Sequence, residues 1–247
     1  MREDSEGQCL AMETLREMGR AGRAQRACLV ALSGGKDSAY VLMQASGEWA
    51  LDAVPMLVDT GYLSKRAIPN ARRVCDRLGL ELLIHHIDLD ATYHTAMHAV
   101  SDGAEPVDAF CGRCHGMILG ALIGLAKARG IPRVLTGLSP DLASEVGTIP
   151  SRTMIDGVCL ESPLMWDIST PRSRRRALKA AGVLSAHASN PMRTNCRWCP
   201  YIIAAGLKRD GRLPYQESFD GHPIARRLAR TLKCVPLRWL IPRKAKS

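Results

Sequence analysis

The sequence predicts an α/β fold built on a doubly wound, mainly parallel β-sheet. Short apolar runs typical of buried strands recur along the chain, and segments with helical spacing of apolar residues separate them. The strand-like runs span residues 28–32, 53–58, 81–87 and 133–136. Because parallel strands need long crossover connections, helices cover both faces of such a sheet and ligands bind at the carboxyl ends of the strands.

Three regions are expected along the 247 residues. Residues 1–24 are mostly polar, and three apolar side chains at helical spacing predict a peripheral helix: Met12, Leu15 and Met18. Residues 25–205 contain the strand-like runs and are predicted to form the main domain, which carries the motifs described below. Between the second and third strands, four side chains indicate a helix: Ile68, Ala71, Val74 and Leu78. Residues 206–247 are predicted to form a small basic C-terminal extension.

The composition favours a polyanionic partner, because the formal net charge is +10 and the pI is near 9.4. Five basic residues crowd one segment: Arg172, Arg174, Arg175, Arg176 and Lys179. Residues 222–247 contain eight Lys or Arg and no acidic residue. Such clusters could neutralise the phosphates of an RNA substrate, and the alternative is a solvated basic surface.

The sequence favours a cytoplasmic protein without a membrane partner. No apolar run approaches the ~20 residues that span a bilayer, and residues 1–6 are too polar for a secretory signal. The chain has nine cysteines, and this odd number without an export signal favours thiols or metal ligands over a disulfide framework.

A glycine-rich hexapeptide follows the first strand-like run and leads into a helical segment. We call it the glycine loop, and its residues are Ser33, Gly34, Gly35, Lys36, Asp37 and Ser38. Gly34 and Gly35 have no Cβ, so successive backbone amides can converge on an anion, and a helix N-terminus adds further N–H groups. Lys36 supplies a point charge for phosphate oxygens. The alternative is a purely structural role, as a Gly-Gly turn with an exposed Lys and an Asp or Ser that caps the helix.

The glycine loop is not a Walker loop, because no Gly lies six residues before Lys36 and no Ser or Thr follows it directly. It resembles instead the SGGxDS signature of the PP-loop family of ATP pyrophosphatases, which cleave ATP to AMP and pyrophosphate. This resemblance implies that the six loop residues bind ATP with Mg²⁺ and that Lys36 and Asp37 take part in catalysis.

The resemblance also implies that two further loops complete the nucleotide pocket. Asp59 follows the second strand, and Gly137 and Asp141 follow the fourth. In the family, such loops hold the adenine and ribose, and an acidic residue such as Asp141 assists the metal or the substrate. The alternative is that Asp59 and Asp141 are ordinary turn residues.

Two Cys-x-x-Cys motifs provide candidate metal ligands, Cys111 with Cys114 and Cys196 with Cys199. A two-residue gap lets both thiolates of a pair reach one metal, but the pairs are too far apart for a compact zinc ribbon. Four thiolates suit tetrahedral zinc and an iron–sulfur cluster equally well. Two unrelated structural pairs are the third alternative.

Together, the glycine loop and the cysteine pairs resemble the branch of the PP-loop family that makes 2-thiocytidine or 2-thiouridine in tRNA. The resemblance implies a [4Fe-4S] cluster on Cys111, Cys114 and Cys196, with Cys199 as an optional ligand. It further implies a sulfide or persulfide-carrying donor, tRNA or a small heterocycle as substrate, and a possible homodimer. The expected activity is an ATP-dependent sulfurtransferase that adenylates a carbonyl oxygen and replaces it with sulfur.

Two other classes of function stay open. One is a PP-loop amidotransferase or synthetase, in which ammonia displaces AMP and the cysteines hold structural zinc. The other is a nucleotide-dependent RNA-binding protein without catalysis. Outside the motifs, Cys28, Cys75 and Cys159 are expected to be packing or surface thiols. His85 and His86 are expected to be structural residues of a strand.

Overall fold

The computed structural model describes residues 26–63, 66–89, 109–140 and 151–184. Within them, six strands form one sheet in the order β3-β2-β1-β4-β6-β5. The strands are β1 (Ala27–Ala31), β2 (Asp52–Asp59), β3 (Leu83–His86), β4 (Arg133–Leu135), β5 (Arg152–Ile155) and β6 (Val158–Glu161). All neighbouring strands are parallel except β5, which runs antiparallel to β6. The predicted mainly parallel sheet is thereby confirmed.

Four α-helices and one short 3-10 helix accompany the strands in the described parts of the chain. They are α1 (Lys36–Ser46), α2 (Ala67–Leu78), α3 (Ala109–Ala128), the 3-10 helix (Pro163–Met165) and α4 (Pro171–Ala180). The ends of α2 and α4 follow from local chemistry. Gly79 ends α2 in the left-handed conformation, with φ of 67°. Thr170 caps α4 by accepting a hydrogen bond from the Ser173 amide, and Pro171 occupies the first helical position.

The helices cover both faces of the sheet, as a doubly wound fold requires. Cys28 and Val30 of β1 belong to the apolar core that α1, α2 and α4 build on one face. Leu29 faces the opposite way and packs in the core formed with α3. Because β1 is buried on both faces, it is a continuous apolar run in the sequence.

The strand order reverses between β1 and β4. From β1 the chain moves through β2 to β3, and it then crosses the opposite face through α3 to reach β4 on the other side of β1. In open α/β sheets, ligands bind outside the carboxyl ends of the strands at such a switch point. The loops that follow β1 and β4 are therefore neighbours at the place where a ligand is expected.

The hairpin of β5 and β6 was not among the predicted strands. Its turn is Asp156-Gly157, with φ of 50° and 81°, and Ile155 pairs with Val158 across it. Positive φ at both turn residues is characteristic of a two-residue type I′ hairpin turn. Asp-Gly between apolar residues is the sequence signal for such a turn.

Other predictions fall outside the described residues. These are the N-terminal helix of residues 1–24 and the basic extension of residues 206–247, so the predicted domain limits stay predictions. The predicted first, second and fourth strands agree with the structure to within one residue, and the third is shorter than predicted. Among the described residues, none of the helices has the length and apolar character needed to cross a membrane.

Candidate functional site

Two serines tie the glycine loop together from within. Ser38 Oγ accepts a hydrogen bond from the Ser33 amide at 3.1 Å and lies 3.0 Å from Ser33 Oγ. It also donates to the Gly35 carbonyl at 3.2 Å, while Ser33 Oγ accepts from the Gly35 amide at 3.3 Å. These contacts within the loop hold its shape, and a loop held in this way costs less conformational entropy to order when it binds a ligand.

The first turn of α2 supports the loop at Gly34. Gly34 has φ of 72°, and a Cβ at this position would overlap the carbonyl of Ala67. Asn70, which is buried, donates a hydrogen bond from Nδ2 to the Gly34 carbonyl at 3.4 Å. Asn70 is not among the site residues predicted from the sequence. Its one sequence signal is its place beside Ala67 and Ala71 on the buried face of α2.

Helix α1 begins inside the glycine loop. Its N-cap is Gly35, and no side chain caps it. Asp37 and Ser38 lie in the first turn, so the alternative that one of them caps the helix is wrong. The first amides of a helix have no partner within the helix, and they carry the positive end of its dipole. The start of α1 is thus suited to an anion.

Asp37 lies between two cations. Lys36 Nζ forms an ion pair with Asp37 Oδ2, and Arg174 Nε of α4 lies 2.9 Å from Asp37 Oδ1. The Arg174 and Asp37 atoms have no aligned hydrogen-bond partner among the described residues, so their attraction is that of an ion pair. Lys36 balances the charge of Asp37 within the loop, so Arg174 of α4 gives this cluster of three side chains its net positive charge.

The structure corrects the prediction for the basic segment of residues 172–179. Arg174 was grouped with its neighbours as a surface residue for nucleic-acid phosphates, but its side chain is only 3% exposed. It faces the glycine loop from the same side of α4 as the buried Leu178. Arg172 and Arg176 are exposed, as predicted for that segment.

The loop after β4 packs directly on the first turn of α1. A Cβ added to Gly137 would lie 2.5 Å from the Ser38 nitrogen and 2.7 Å from the Ser38 Cα. Next to it, Thr136 Oγ1 lies 2.9 Å from Ser162 Oγ and accepts from the Leu138 amide at 3.3 Å. The structure thus brings Gly137 to the glycine loop, whereas Asp141 lies outside the described residues.

On the expectation from the resemblance that the glycine loop binds ATP, the Gly137→Ala variant should weaken this binding by about tenfold or more. The new methyl group would press on backbone atoms of Ser38, so either the β4 loop or the start of α1 must move, and small misplacements are costly in a preorganised site. Isothermal titration calorimetry would measure the affinity. Gly120→Ala on α3 is the control, because an added Cβ there has open space. Equal affinities in both variants would contradict the expectation.

Asp59 ends β2 beside the glycine loop and is held by two neighbours. Its Oδ1 accepts a hydrogen bond from the Gly61 amide at 2.8 Å, and its Oδ2 lies 3.2 Å from His86 Nδ1. The first contact is that of an ordinary Asx turn. Sequence reasoning treated His86 as a structural strand residue. The structure shows it exposed at the end of β3, directly opposite Asp59 in the strand register.

Chain direction places the first Cys-x-x-Cys motif at the same edge of the sheet as the glycine loop. Helix α3 leads through a short turn into β4, so it runs antiparallel to the strands and starts at their carboxyl end. Its 20 residues extend ~30 Å, longer than any of the strands, and its fully buried residues lie in the last two turns: Leu122, Ile123 and Ala126. Cys111 and Cys114 in the first two turns therefore lie towards or beyond that edge.

The second cysteine pair, Cys196 and Cys199, lies outside the described residues. Within the described parts of the chain, no three His, Cys, Asp or Glu side chains converge as a metal site. Cys114 is partly buried. The ligand set predicted for the cluster or for zinc thus stays a prediction.

Burial sets the chemistry of three other groups. It raises the pKa of Cys28 to about 12 and that of Cys75 to about 11. Both groups are therefore neutral thiols at physiological pH, in agreement with the packing role predicted for them. Burial lowers the pKa of His115, so the imidazole next to Cys114 is held in its neutral form.

No protein-family model matches the chain. An uncharacterized protein of Methanocaldococcus jannaschii is 31% identical over 110 residues. The matched part covers 44% of this chain and only 37% of that protein.

Two solved structures are similar in backbone arrangement. The NH3-dependent NAD synthetase from Campylobacter jejuni, in complex with a nitrate ion, has 17% sequence identity and a TM-score of 0.47, over 90% of both chains. NMN synthetase from Francisella tularensis has 15% identity and a TM-score of 0.46, over 85% of this chain and 86% of its own. At this level of similarity, nothing about a substrate follows.

Proposed function

We propose that the protein is a PP-loop enzyme that binds ATP in the glycine loop and cleaves it to AMP and pyrophosphate. One observation carries the proposal. The signature hexapeptide forms the uncapped start of α1 at the switch point of the sheet, with Lys36 and Arg174 beside it. The first amides of α1, the helix dipole and the two cations together favour a polyphosphate.

The residues present also fit a magnesium ion. Mg²⁺ prefers carboxylate oxygens together with substrate phosphates. Asp37 provides a carboxylate in the loop itself, and its Oδ2 pairs with Lys36, whose partly exposed side chain can turn to a phosphate and leave that oxygen to a metal ion. Asp37 would hold the ion, with Asp141 as the predicted second carboxylate, and the ion would neutralise charge on the phosphates.

The proposed reaction has two halves. First, a carbonyl oxygen of the substrate attacks the α-phosphorus of ATP, and the bond to the bridging oxygen breaks, so that pyrophosphate leaves with the electron pair. The α1 amides and Lys36 stabilise the charge that develops on the phosphates. Second, hydrosulfide adds to the activated carbon and loses its proton to solvent, and the bond from that carbon to the former carbonyl oxygen breaks, so that AMP leaves with this oxygen and the electron pair and a thiocarbonyl remains.

The position of Cys111 and Cys114 at the carboxyl edge supports sulfur as the nucleophile, because a bound thiolate or sulfide there would lie on the same side of the sheet as ATP. A [4Fe-4S] cluster on these cysteines with Cys196, and with Cys199 as an optional ligand, would supply or carry the sulfur atom. The basic net charge and the exposed Arg172 and Arg176 support tRNA as the substrate. The sulfur donor and a homodimer stay predictions.

Two measurements test the proposal on protein purified without oxygen. The first is the nucleotide product, and AMP with pyrophosphate is expected, whereas ADP and phosphate, or no turnover with any tRNA or heterocycle, would contradict the proposal. The second is the content of iron, sulfide and zinc in the wild type and in Cys111→Ala. About four irons and four sulfides, lost in the variant, are expected for the cluster. Stoichiometric zinc without iron would instead favour the ammonia-using amidotransferase or synthetase.

A further inference from the structure

Arg174 is an unusual residue for its position, since it is a nearly fully buried guanidinium in a helix crowded with exposed basic side chains. A buried cation is costly unless other groups compensate its charge. Two groups do so here. Arg174 Nη1 donates a hydrogen bond to the Ser169 carbonyl at 3.0 Å, and Nε lies 2.9 Å from Asp37 Oδ1.

The segment that anchors Arg174 is itself fixed. The Ser169 amide donates to Asp167 Oδ1 at 2.8 Å, and its hydroxyl donates to Asp167 Oδ2 at 2.6 Å. One residue later, Thr170 caps α4. The carbonyl that holds the guanidinium therefore belongs to a well-connected turn, and Arg174 has little freedom to leave Asp37.

Lys36 is the opposite kind of partner for Asp37. Its side chain is 35% exposed, and its flexible stem carries a compact charge that can turn towards a phosphate. The two cations hold different oxygens of the carboxylate, Lys36 at Oδ2 and Arg174 at Oδ1. When ATP and Mg²⁺ arrive, Lys36 can exchange Asp37 for the phosphates while Arg174 stays in place.

We infer that Arg174 is a positioning residue of the ATP site, which holds the Asp37 carboxylate in one orientation so that the oxygen released by Lys36 binds Mg²⁺. The inference rests on the proposed function. Without Arg174, the Asp37 carboxylate could rotate about its side-chain bonds. Binding of Mg²⁺ would then have to fix its orientation, and the lost conformational entropy would lower the affinity for the ion. Groups that orient a metal ligand typically contribute 10–100-fold to metal affinity.

The test compares Arg174→Met, Arg174→Lys and the wild type. Methionine keeps the apolar length of the side chain, and lysine keeps the charge without the planar fork. The readouts are the Mg²⁺ concentration that gives half-maximal AMP formation, and ATP affinity measured by calorimetry with Mg²⁺ and with EDTA. Arg77→Met is the matched control, because Arg77 is an exposed arginine on α2.

Arg174→Met is expected to raise the half-saturating Mg²⁺ concentration by about tenfold, and to change ATP affinity in EDTA much less. Arg174→Lys is expected to recover part of the loss, and Arg77→Met to match the wild type. In an Asp37→Asn background, Arg174→Met should add no further change in Mg²⁺ dependence, because the effect passes through Asp37.

Two results would overturn the inference. One is an unchanged Mg²⁺ dependence in Arg174→Met, even if its melting temperature falls, since this would make the residue structural only. The other is a full additional loss in the Asp37→Asn background. If Arg174→Met does not fold, Arg174→Lys in both backgrounds provides the same comparison. A wild type that binds no ATP would refute the proposed function itself, which is a different result.

Discussion

Replacing Gly34 by alanine is expected to lower ATP affinity by about a hundredfold and to abolish AMP formation. A left-handed conformation costs a residue with a side chain about 1–2 kcal/mol, and Gly34 has φ of 72°. In addition, the new Cβ would overlap the Ala67 carbonyl, which belongs to the backbone of α2 and cannot rotate away. The loop must then change the conformation that Ser33 and Ser38 stabilise. Each ~1.4 kcal/mol that this distortion costs lowers the affinity for ATP about tenfold.

Calorimetric titration with ATP and a product assay would measure the effect of Gly34→Ala. Gly124→Ala is the control, because Gly124 lies on α3 with no atom within 4 Å of an added Cβ. Alanine in a helix is about 1 kcal/mol more favourable than glycine, so this control should bind ATP normally and melt slightly higher. A Gly34→Ala protein that is folded and binds ATP as the wild type does would exclude the glycine loop as the phosphate site.

Replacing Lys36 by alanine is expected to reduce AMP formation by a factor of ~10²–10³, the effect of losing one group that stabilises transition-state charge. The backbone amides of α1 and the Asp37–Arg174 pair remain, so ATP should still bind, though more weakly. Quantified AMP release under saturating ATP would measure the loss. The iron, sulfide and zinc content should not change, because the cysteines lie on other parts of the chain.

Lys127→Ala is the matched control for Lys36→Ala, since Lys127 is exposed in the last turn of α3, at the opposite edge of the sheet. It should form AMP at the wild-type rate. If Lys36→Ala also did so, Lys36 would have no role in the reaction, and its ion pair with Asp37 would be structural only.

The sheet could be predicted from the sequence because the strands near its centre are buried on both faces. Such strands are continuous apolar runs, and β1, β2 and β4 were placed to within one residue. The β5–β6 hairpin was missed for a different reason. Its strands have only four residues each and β5 is mostly exposed, so apolar spacing carries little signal there, and only the Asp-Gly turn marks it.

The site could be predicted only where its residues are contiguous. The hexapeptide predicts an anion-binding loop at the end of a strand. The residues that contact this loop and hold it in place come from other elements: Ala67 and Asn70 of α2, Gly137 after β4 and Arg174 of α4. Arg174 was assigned to the surface because an arginine among arginines is normally solvated. Its burial depends on a carboxylate that only the tertiary fold brings near.

The contact between Gly137 and Ser38 also has a consequence for the order of events at the ribosome. The hexapeptide leaves the exit tunnel early, but the loop that packs on it follows about a hundred residues later, and α4 with Arg174 follows later still. The glycine loop of a nascent chain is therefore exposed long before the residues that pack on it have been synthesised. On the proposed function, we therefore expect the growing chain to bind ATP only after synthesis has passed α4, because Gly137 and Arg174 are needed to complete the site.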